Sequence, residues 1–387
     1  MKRLLAVMTI ALPLMSAPLA SVAQSNDELA RENFQAVIDD LNNNSFKAFL
    51  DALDERELLG RVIGAYAIEP EVRDQLAGLF DQWVPELFVE SFPPSQGEII
   101  GTVVAFEGYG DSARALVRYE VSGYRFAFHV YELTVGSKGR IGILDWTDFY
   151  KGGLFSREAA ASFVRTLPTQ EATQQLLENK NIDEGRLFQV AELMKASRDN
   201  AHGRFFGIYD AMDDELKAER GVVRLNLQMT QTWNDRARLG RAVESVASSF
   251  PNDPLFSQPL IDFFIVTSQF DRAITELETL QKGLGVVDGA TESLKATAAM
   301  ALGNMEQAQE FALSATQAEP DLELAWWALL RARTAAGNYA GAIEAMEQLE
   351  ERFGQLLIPQ KLRRDRFLRV LIDQQEYKDW RAERDAA

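Results

Sequence analysis

Tyr119, His129, Tyr131, Trp146 and Asp148 fall within one short stretch of the chain. They are the residue types from which a general base with hydrogen-bonding partners, or an aromatic-lined ligand pocket, can be built. Asp145 and Asp148 lie three positions apart in Asp145-Trp146-Thr147-Asp148. Side chains alternate between the faces of a strand, so these carboxylates are not expected to share a metal. Hydrogen bonding at a strand end or turn is their expected role. His129, lone in its stretch, is expected as a core or sheet-surface residue rather than a base. The chain has only one other histidine, His202, and no cysteine. That excludes disulfides, thiolate metal sites, iron–sulfur clusters, thiol catalysis and lipoprotein acylation. No nucleophile elbow, dinucleotide fingerprint, phosphate-binding loop or EF-hand pattern is present. No catalytic residue, metal or cofactor is therefore assigned, and the chain is not expected to be an enzyme. The alternative is small-ligand binding, or hydrolase- or isomerase-type activity, in a pocket around His129, Tyr119, Tyr131, Trp146 and Asp148.

Charge narrows the partners. Across 387 residues, 58 acidic side chains outnumber 40 basic ones, for a net charge of −18. Such a field repels phosphate backbones and anionic lipid, so nucleic acid is not an expected partner. Residues 1–23 combine Lys2 and Arg3, an apolar run from Leu4 to Met15, and Ser21-Val22-Ala23 before Gln24. That order predicts a secretory signal cleaved after Ala23. Pro13 and Pro18 interrupt the run, which is shorter than the ~20 apolar residues a span needs, and no later stretch could cross a membrane. An exported protein follows, periplasmic by preference and secreted as the alternative.

The elements that would position these residues change character along the chain. From Asn26 to Phe92 the pattern is helical: Leu29, Phe34, Val37, Ile38 and Leu41 form one stripe, ended by Asn42-Asn43-Asn44. A second helix carries Phe46, Phe49, Leu50 and Leu53, and a third is expected from Pro70 to near Phe92 before Pro93-Pro94. Between 97 and 150, β-branched and aromatic runs alternate with turns at Gly108–Asp111, Ser122-Gly123 and Gly136–Gly139. This predicts a four-stranded antiparallel meander. Its third strand should turn Phe126, Phe128 and Val130 to one face and Ala127, His129, Tyr131 and Leu133 to the other. One face is expected against the helices, the other semi-exposed or cupped. Helices followed by such a sheet resemble the cone-shaped domains of the nuclear-transport-factor-2-like or cystatin-like kind.

Beyond Ser156 nearly every segment is helical, and 254–387 carries an internal period. Ser268-Gln269-Phe270-Asp271-Arg272-Ala273, Gly303-Asn304-Met305-Glu306-Gln307-Ala308 and Gly337-Asn338-Tyr339-Ala340-Gly341-Ala342 recur about 34–35 residues apart. A small residue allows a tight turn, Phe270, Met305 or Tyr339 plugs the corner, and Ala273, Ala308 or Ala342 lets two helices touch. This region resembles the tetratricopeptide repeat family. Trp326 and Leu329 fall on its first-helix tryptophan and leucine, Ala296 on its small position, Ala315 on its later alanine and Pro320 on its closing proline. Lys295, Leu330 and Gly354 depart from the pattern, and Gln375-Glu376-Tyr377 with Trp380 suggests a partial last unit. Residues 156–253 are expected to be helical, as degenerate repeats with no phase assigned.

The expected architecture is thus an α+β domain at 26–152, with helices over 26–92 and the sheet over 97–150, followed by an all-α repeat solenoid. The resemblance implies a concave groove lined by Gln258, Asp262, Ser293, Thr297, Trp327, Arg331, Thr334, Asp365 and Arg369. Of the adjacent pair Trp326-Trp327, one is expected in the core and the other partly exposed, since neighbours on a helix cannot share a face. An exposed tryptophan can anchor an interface. Lys361, Arg363, Arg364, Arg366 and Arg369 form a basic cluster that is expected to be a solvated face, with an acidic partner segment as the alternative. The expected function is a protein-interaction scaffold holding another protein or peptide.

Overall fold

The computed structural model describes residues 25–64, 92, 98–121, 125–164, 184–233 and 235–386. The leader at 1–23, the body of the helix expected from Pro70 to near Phe92 and the turn expected at Ser122-Gly123 lie outside these residues.

The first helix, α1 (Asn26–Asn42), starts where the sequence offers reciprocal capping: Ser25 Oγ accepts from Glu28 N–H while Glu28 accepts from Ser25 N–H. Its stripe Ala30, Phe34, Val37, Ile38 and Leu41 is buried. Two short helices, α2 (Lys47–Ala52) and α3 (Glu55–Gly64), follow. The strands β1 (Gly101–Gly108), β2 (Ser112–Val121), β3 (Arg125–Val135), β4 (Ile141–Asp148) and β5 (Gly153–Leu154) pair in sequence order, all antiparallel. The sheet therefore has five strands, not four. The two-residue β5 pairs with Thr147 and Asp148 after the chain turns back at Tyr150–Gly152. Gly139, at φ +65°, lies against α1, where a Cβ would stand 2.5 Å from Ala30 N. That close approach lets Gly139 N–H donate to Asn26 and its carbonyl accept from Asn33.

Both faces of the sheet are covered. Ala115, Val117, Tyr119, Ala127, Tyr131, Leu133, Ile143 and Trp146 pack on α1, α2, α3 and α4 (Phe155–Val164). The opposite face was expected to be semi-exposed or cupped. Leu116, Phe128, Val130 and Phe149 instead pack on Ile261, Leu277, Leu280 and Leu284 of the helical region. The reason is composition: Phe126, Phe128 and Val130 are too apolar to face water, and the apolar ends of the repeat helices supply their cover.

The helical region runs as pairs. Helices α5 (Glu184–Arg198) and α6 (His202–Ala211) are followed by the short α7 (Asp214–Lys217), then α8 (Arg220–Thr232) with α9 (Arg236–Ser249). Next come α10 (Pro254–Val266) with α11 (Phe270–Leu284), α12 (Gly289–Leu302) with α13 (Met305–Ala318), and α14 (Glu323–Ala335) with α15 (Tyr339–Phe353). The last unit is α16 (Pro359–Arg364), a 3-10 turn at Leu368–Asp373, and α17 (Gln375–Ala386). First helices begin at Glu184, Arg220, Pro254, Gly289, Glu323 and Pro359, each about one 34-residue period after the last. The phase not assigned over 156–253 is therefore present from Glu184 onward.

The turn chemistry explains the recurring motif. Ser268, Gly303 and Gly337 all adopt left-handed backbone, at φ 59°, 83° and 75°. Each is followed by the same closing bond: Gln269 N–H to Phe264 O at 2.8 Å, Asn304 N–H to Ala299 O at 2.9 Å and Asn338 N–H to Arg333 O at 2.9 Å. Asn200, at φ 53°, makes the same turn between α5 and α6, with Ala201 N–H donating to Ala196 O. Ala273, Ala296, Ala308, Ala315 and Ala342 are fully buried, and Phe270, Met305 and Tyr339 pack over the core as half-buried plugs. Tyr377 and Trp380 of α17 close the end of this core. The C-terminal half is a helical repeat solenoid.

Candidate partner-binding face

The nine residues expected to line the groove divide into three groups. Gln258 and Asp262, on α10, are bound by the chain's own sheet: the Gln258 amide donates to Phe126 O, and Asp262 pairs with Arg125 at 3.6 Å. Ser293 and Thr334 do not line a groove. Both are 1% exposed, and their hydroxyls donate one helical turn back, to Gly289 O at 2.7 Å and Leu330 O at 2.8 Å. Satisfying the hydroxyl within its own helix is what lets these residues enter the core. Thr297 behaves similarly, donating to Ser293 O at 3.0 Å, but is exposed.

Trp327, Arg331, Asp365 and Arg369 form the third group, at the far end of the array. Trp326 and Trp327 are both half-buried, so neither is the fully core member expected of the pair. Trp326 donates to Pro320 O at 2.8 Å, joining the first-helix tryptophan to the closing proline of the preceding unit. Trp327 donates to Glu323 at 2.8 Å while Arg331 and Lys361 lie over its ring, 5.4 and 4.9 Å from the centroid. Arg331 Nε donates to Asp365 Oδ2 at 2.7 Å, tying α14 to the loop after α16. Arg369 is exposed. The departure Lys295 is 5% exposed, paired with Glu292, donating to Gln281 at 2.9 Å and lying over Phe311. Leu330 is fully buried, and Gly354 supplies a left-handed cap at φ 63°.

Between the sheet and the array lies a buried ion cluster that sequence reading did not find. Arg118 of β2 donates through Nη1 to Asp288 Oδ2 at 2.5 Å and Glu319 Oε1 at 2.7 Å, and through Nη2 to Glu319 Oε2 at 2.9 Å. Asp288 also caps α12 by accepting from Thr291 N–H at 2.7 Å, and Glu319 accepts from Gly289 N–H at 2.7 Å. Burial pushes the Asp288 carboxyl up to about 6, with Arg118 pulling it down and Glu319 adding to the rise. Burial acts on Glu319 in the same direction, but its two bonds to Arg118 outweigh it and hold the group below its ordinary value. Arg118 stays charged, because the two carboxylates overcome the desolvation of its guanidinium.

The five residues of the alternative pocket do come together, as buried members of the sheet's helix-covered face. His129 Nδ1 and the Tyr131 hydroxyl are 3.1 Å apart, and the Tyr131 and Tyr119 hydroxyls 2.8 Å. Asp148 Oδ2 lies 3.5 Å from His129 Nε2, while Asp148 Oδ1 accepts from Tyr150 and Lys151 N–H in the turn after β4. Asp145 Oδ1 accepts from Trp146 and Ser156 N–H. Burial holds both tyrosine hydroxyls well above their ordinary values. The rings of Phe34, Phe49 and Phe92 pack on Tyr131, Trp146, Tyr119 and His129 at 5.4–6.4 Å centroid distances. A cleft of about 580 Å³ lies elsewhere, between α2 and the β3–β4 hairpin, lined by Asp51, Asp54, Arg140 and Ile141 among others. Among the described residues no cluster of three or more metal-ligating side chains occurs, and no helix is long and apolar enough to cross a membrane.

No family model and no curated protein matches the chain. Among solved structures, the chain is similar to MamA AMB-1, at 12% identity and a TM-score of 0.37, over 47% of this chain and 98% of that one. It is also similar to MamA MSR-1, at 15% identity and a TM-score of 0.35, over 44% and 98%. Likenesses of that degree carry no function across to this chain.

Proposed function

We propose that the chain is an exported, non-enzymatic scaffold that holds a protein or peptide partner on its repeat array at Trp327 and Arg331. The observation that supports this reading is how the expected groove is divided. Gln258 and Asp262 are engaged by the sheet, whereas Trp327 and Arg331 find their ring and hydrogen-bond partners within the array itself. A half-buried indole with two cations against its face offers apolar area, a polar rim and pre-set rotamers, the make-up of an interface anchor. Thr297, Asp365 and Arg369 complete the surface available to a partner. Neither nucleic acid nor a cofactor enters this reading.

The test is capture from an envelope extract by the tagged chain, repeated with Trp327→Ala/Arg331→Ala and with His129→Gln. The groove pair should weaken capture by ~2 kcal/mol or more, as loss of an anchor does, while the variant remains folded by circular dichroism at the assay temperature. His129→Gln, if folded by circular dichroism, should capture normally. Normal capture by the groove pair together with loss by His129→Gln would move the site to the sheet domain.

A further inference from the structure

We propose that the stretch 354–370, at the C-terminal end of the array, is a docking surface for an anionic lipid membrane. Lys361, Arg363, Arg364, Arg366 and Arg369 fall within nine residues and all are exposed. The stretch contains one acid, Asp365, and Arg331 occupies it at 2.7 Å. Among the described residues, no carboxylate pairs with Arg363, Arg364, Arg366 or Arg369, although acidic residues outnumber basic ones in the chain. Positive charge left unneutralised in so acidic a protein is complementary to an anionic surface.

The apolar side chains of the same stretch select lipid over an acidic peptide. Leu357, Leu362 and Leu368 are buried in the array core and fix the segment. Alternation then sends their neighbours outward: Leu356 is 76% exposed and Ile358 46%, and Val370 beyond the cations is 42% exposed. These three bracket the basic run. A peptide of acids would match the charges and leave the aliphatics in water. A bilayer interface accepts both, phosphates meeting guanidinium groups while short aliphatics enter the acyl boundary. The acidic remainder does not prevent this, because charges farther than about 10 Å are screened at ordinary ionic strength. Binding of this kind is peripheral, and because Lys361 and Asp365 adjoin Trp327 and Arg331, the variants that test it are confined to residues outside the proposed partner surface.

The test is flotation of the full chain with vesicles of phosphatidylcholine alone and of phosphatidylcholine mixed with phosphatidylglycerol. Binding to the mixed vesicles only, released by added salt, is expected. Arg363→Glu/Arg364→Glu/Arg366→Glu should weaken it by a factor on the order of a hundred or more. Leu356→Ser/Ile358→Ser should weaken it severalfold while leaving the salt dependence in place. If the charge-reversed variant loses its helical circular dichroism, the salt titration and the serine pair decide the matter. Equal binding to both vesicle types, undiminished binding by a folded charge-reversed variant, or retention of a poly-glutamate peptide without vesicle binding would each overturn the proposal.

Discussion

Arg118 and Glu319 stand 201 positions apart and meet in a two-pronged ion pair of 2.7 and 2.9 Å. The guanidinium belongs to a strand in the middle of the sheet and the carboxylate to the end of a repeat helix. Their pairing seats the N-terminal domain on the array, with Asp288 as a third, fully buried member.

Breaking this cluster at one member should cost more than removing all of it. Arg118→Met leaves the buried Asp288 and the half-buried Glu319 without their cation and is expected to destabilise the protein by ~3–5 kcal/mol. The triple variant Arg118→Met/Asp288→Asn/Glu319→Gln should recover much of that loss in calorimetry. A single variant that melts like the parent would mean that the cluster does not hold the sheet in place.

Asp288 makes the contact sensitive to pH. Its folded value, about 6, lies above the ordinary 3.8, so the folded protein holds that proton more tightly than the unfolded chain. Its stabilising contribution is full below about pH 4 and is lost as pH rises through 6. Glu319, held low, acts oppositely and only in the acid range, where its contribution disappears. Between pH 5 and 8 the parent should therefore lose on the order of 1–3 kcal/mol relative to Asp288→Asn, which retains a good helix cap. Parallel stability curves for the two proteins across that window would remove Asp288 as the source.

The inter-helix turns offer a paired exchange. Gly303 has φ 83° and nothing within 4 Å of a Cβ, so Gly303→Ser should destabilise by about 1 kcal/mol through backbone strain alone. Ser268 occupies the equivalent turn at φ 59°, and Ser268→Gly should be neutral or stabilising by a few tenths to ~1 kcal/mol. Thermal melts of both variants read the difference directly. The same sign for both would contradict the equivalence of the two turns.

Export predicts a processed chain. Mass spectrometry of the protein from the envelope should find its first residue at Gln24 or within a few positions. Retention of Met1 would end the periplasmic reading.

The repeat was legible because its turns demand left-handed backbone, which glycine adopts freely and leaves as a mark in sequence. Where asparagine did the same work at Asn200, the mark was fainter, and the two pairs from α5 to α9 went unphased. Alternation in β3 placed His129, Tyr131 and Phe128 on their faces correctly. What covers the Phe128 face was not legible. Arg118, Asp288 and Glu319 look like ordinary surface residues one at a time, and only the folded chain brings them together. Ser293 and Thr334 misled for a different reason: a hydroxyl bonded to its own helix is as compatible with burial as an alanine.

Arg118 touches the residue before α12 and the residue after α13, so a single guanidinium bolts shut the open end of one helical hairpin. A solenoid stretched end to end normally yields by opening its units like the coils of a spring, because each is held only by its neighbours. Here the α12–α13 coil is cross-braced from outside. Tension on the protein would therefore be taken up in the coils on either side of it, and the mechanical compliance of the array is set unevenly along its length.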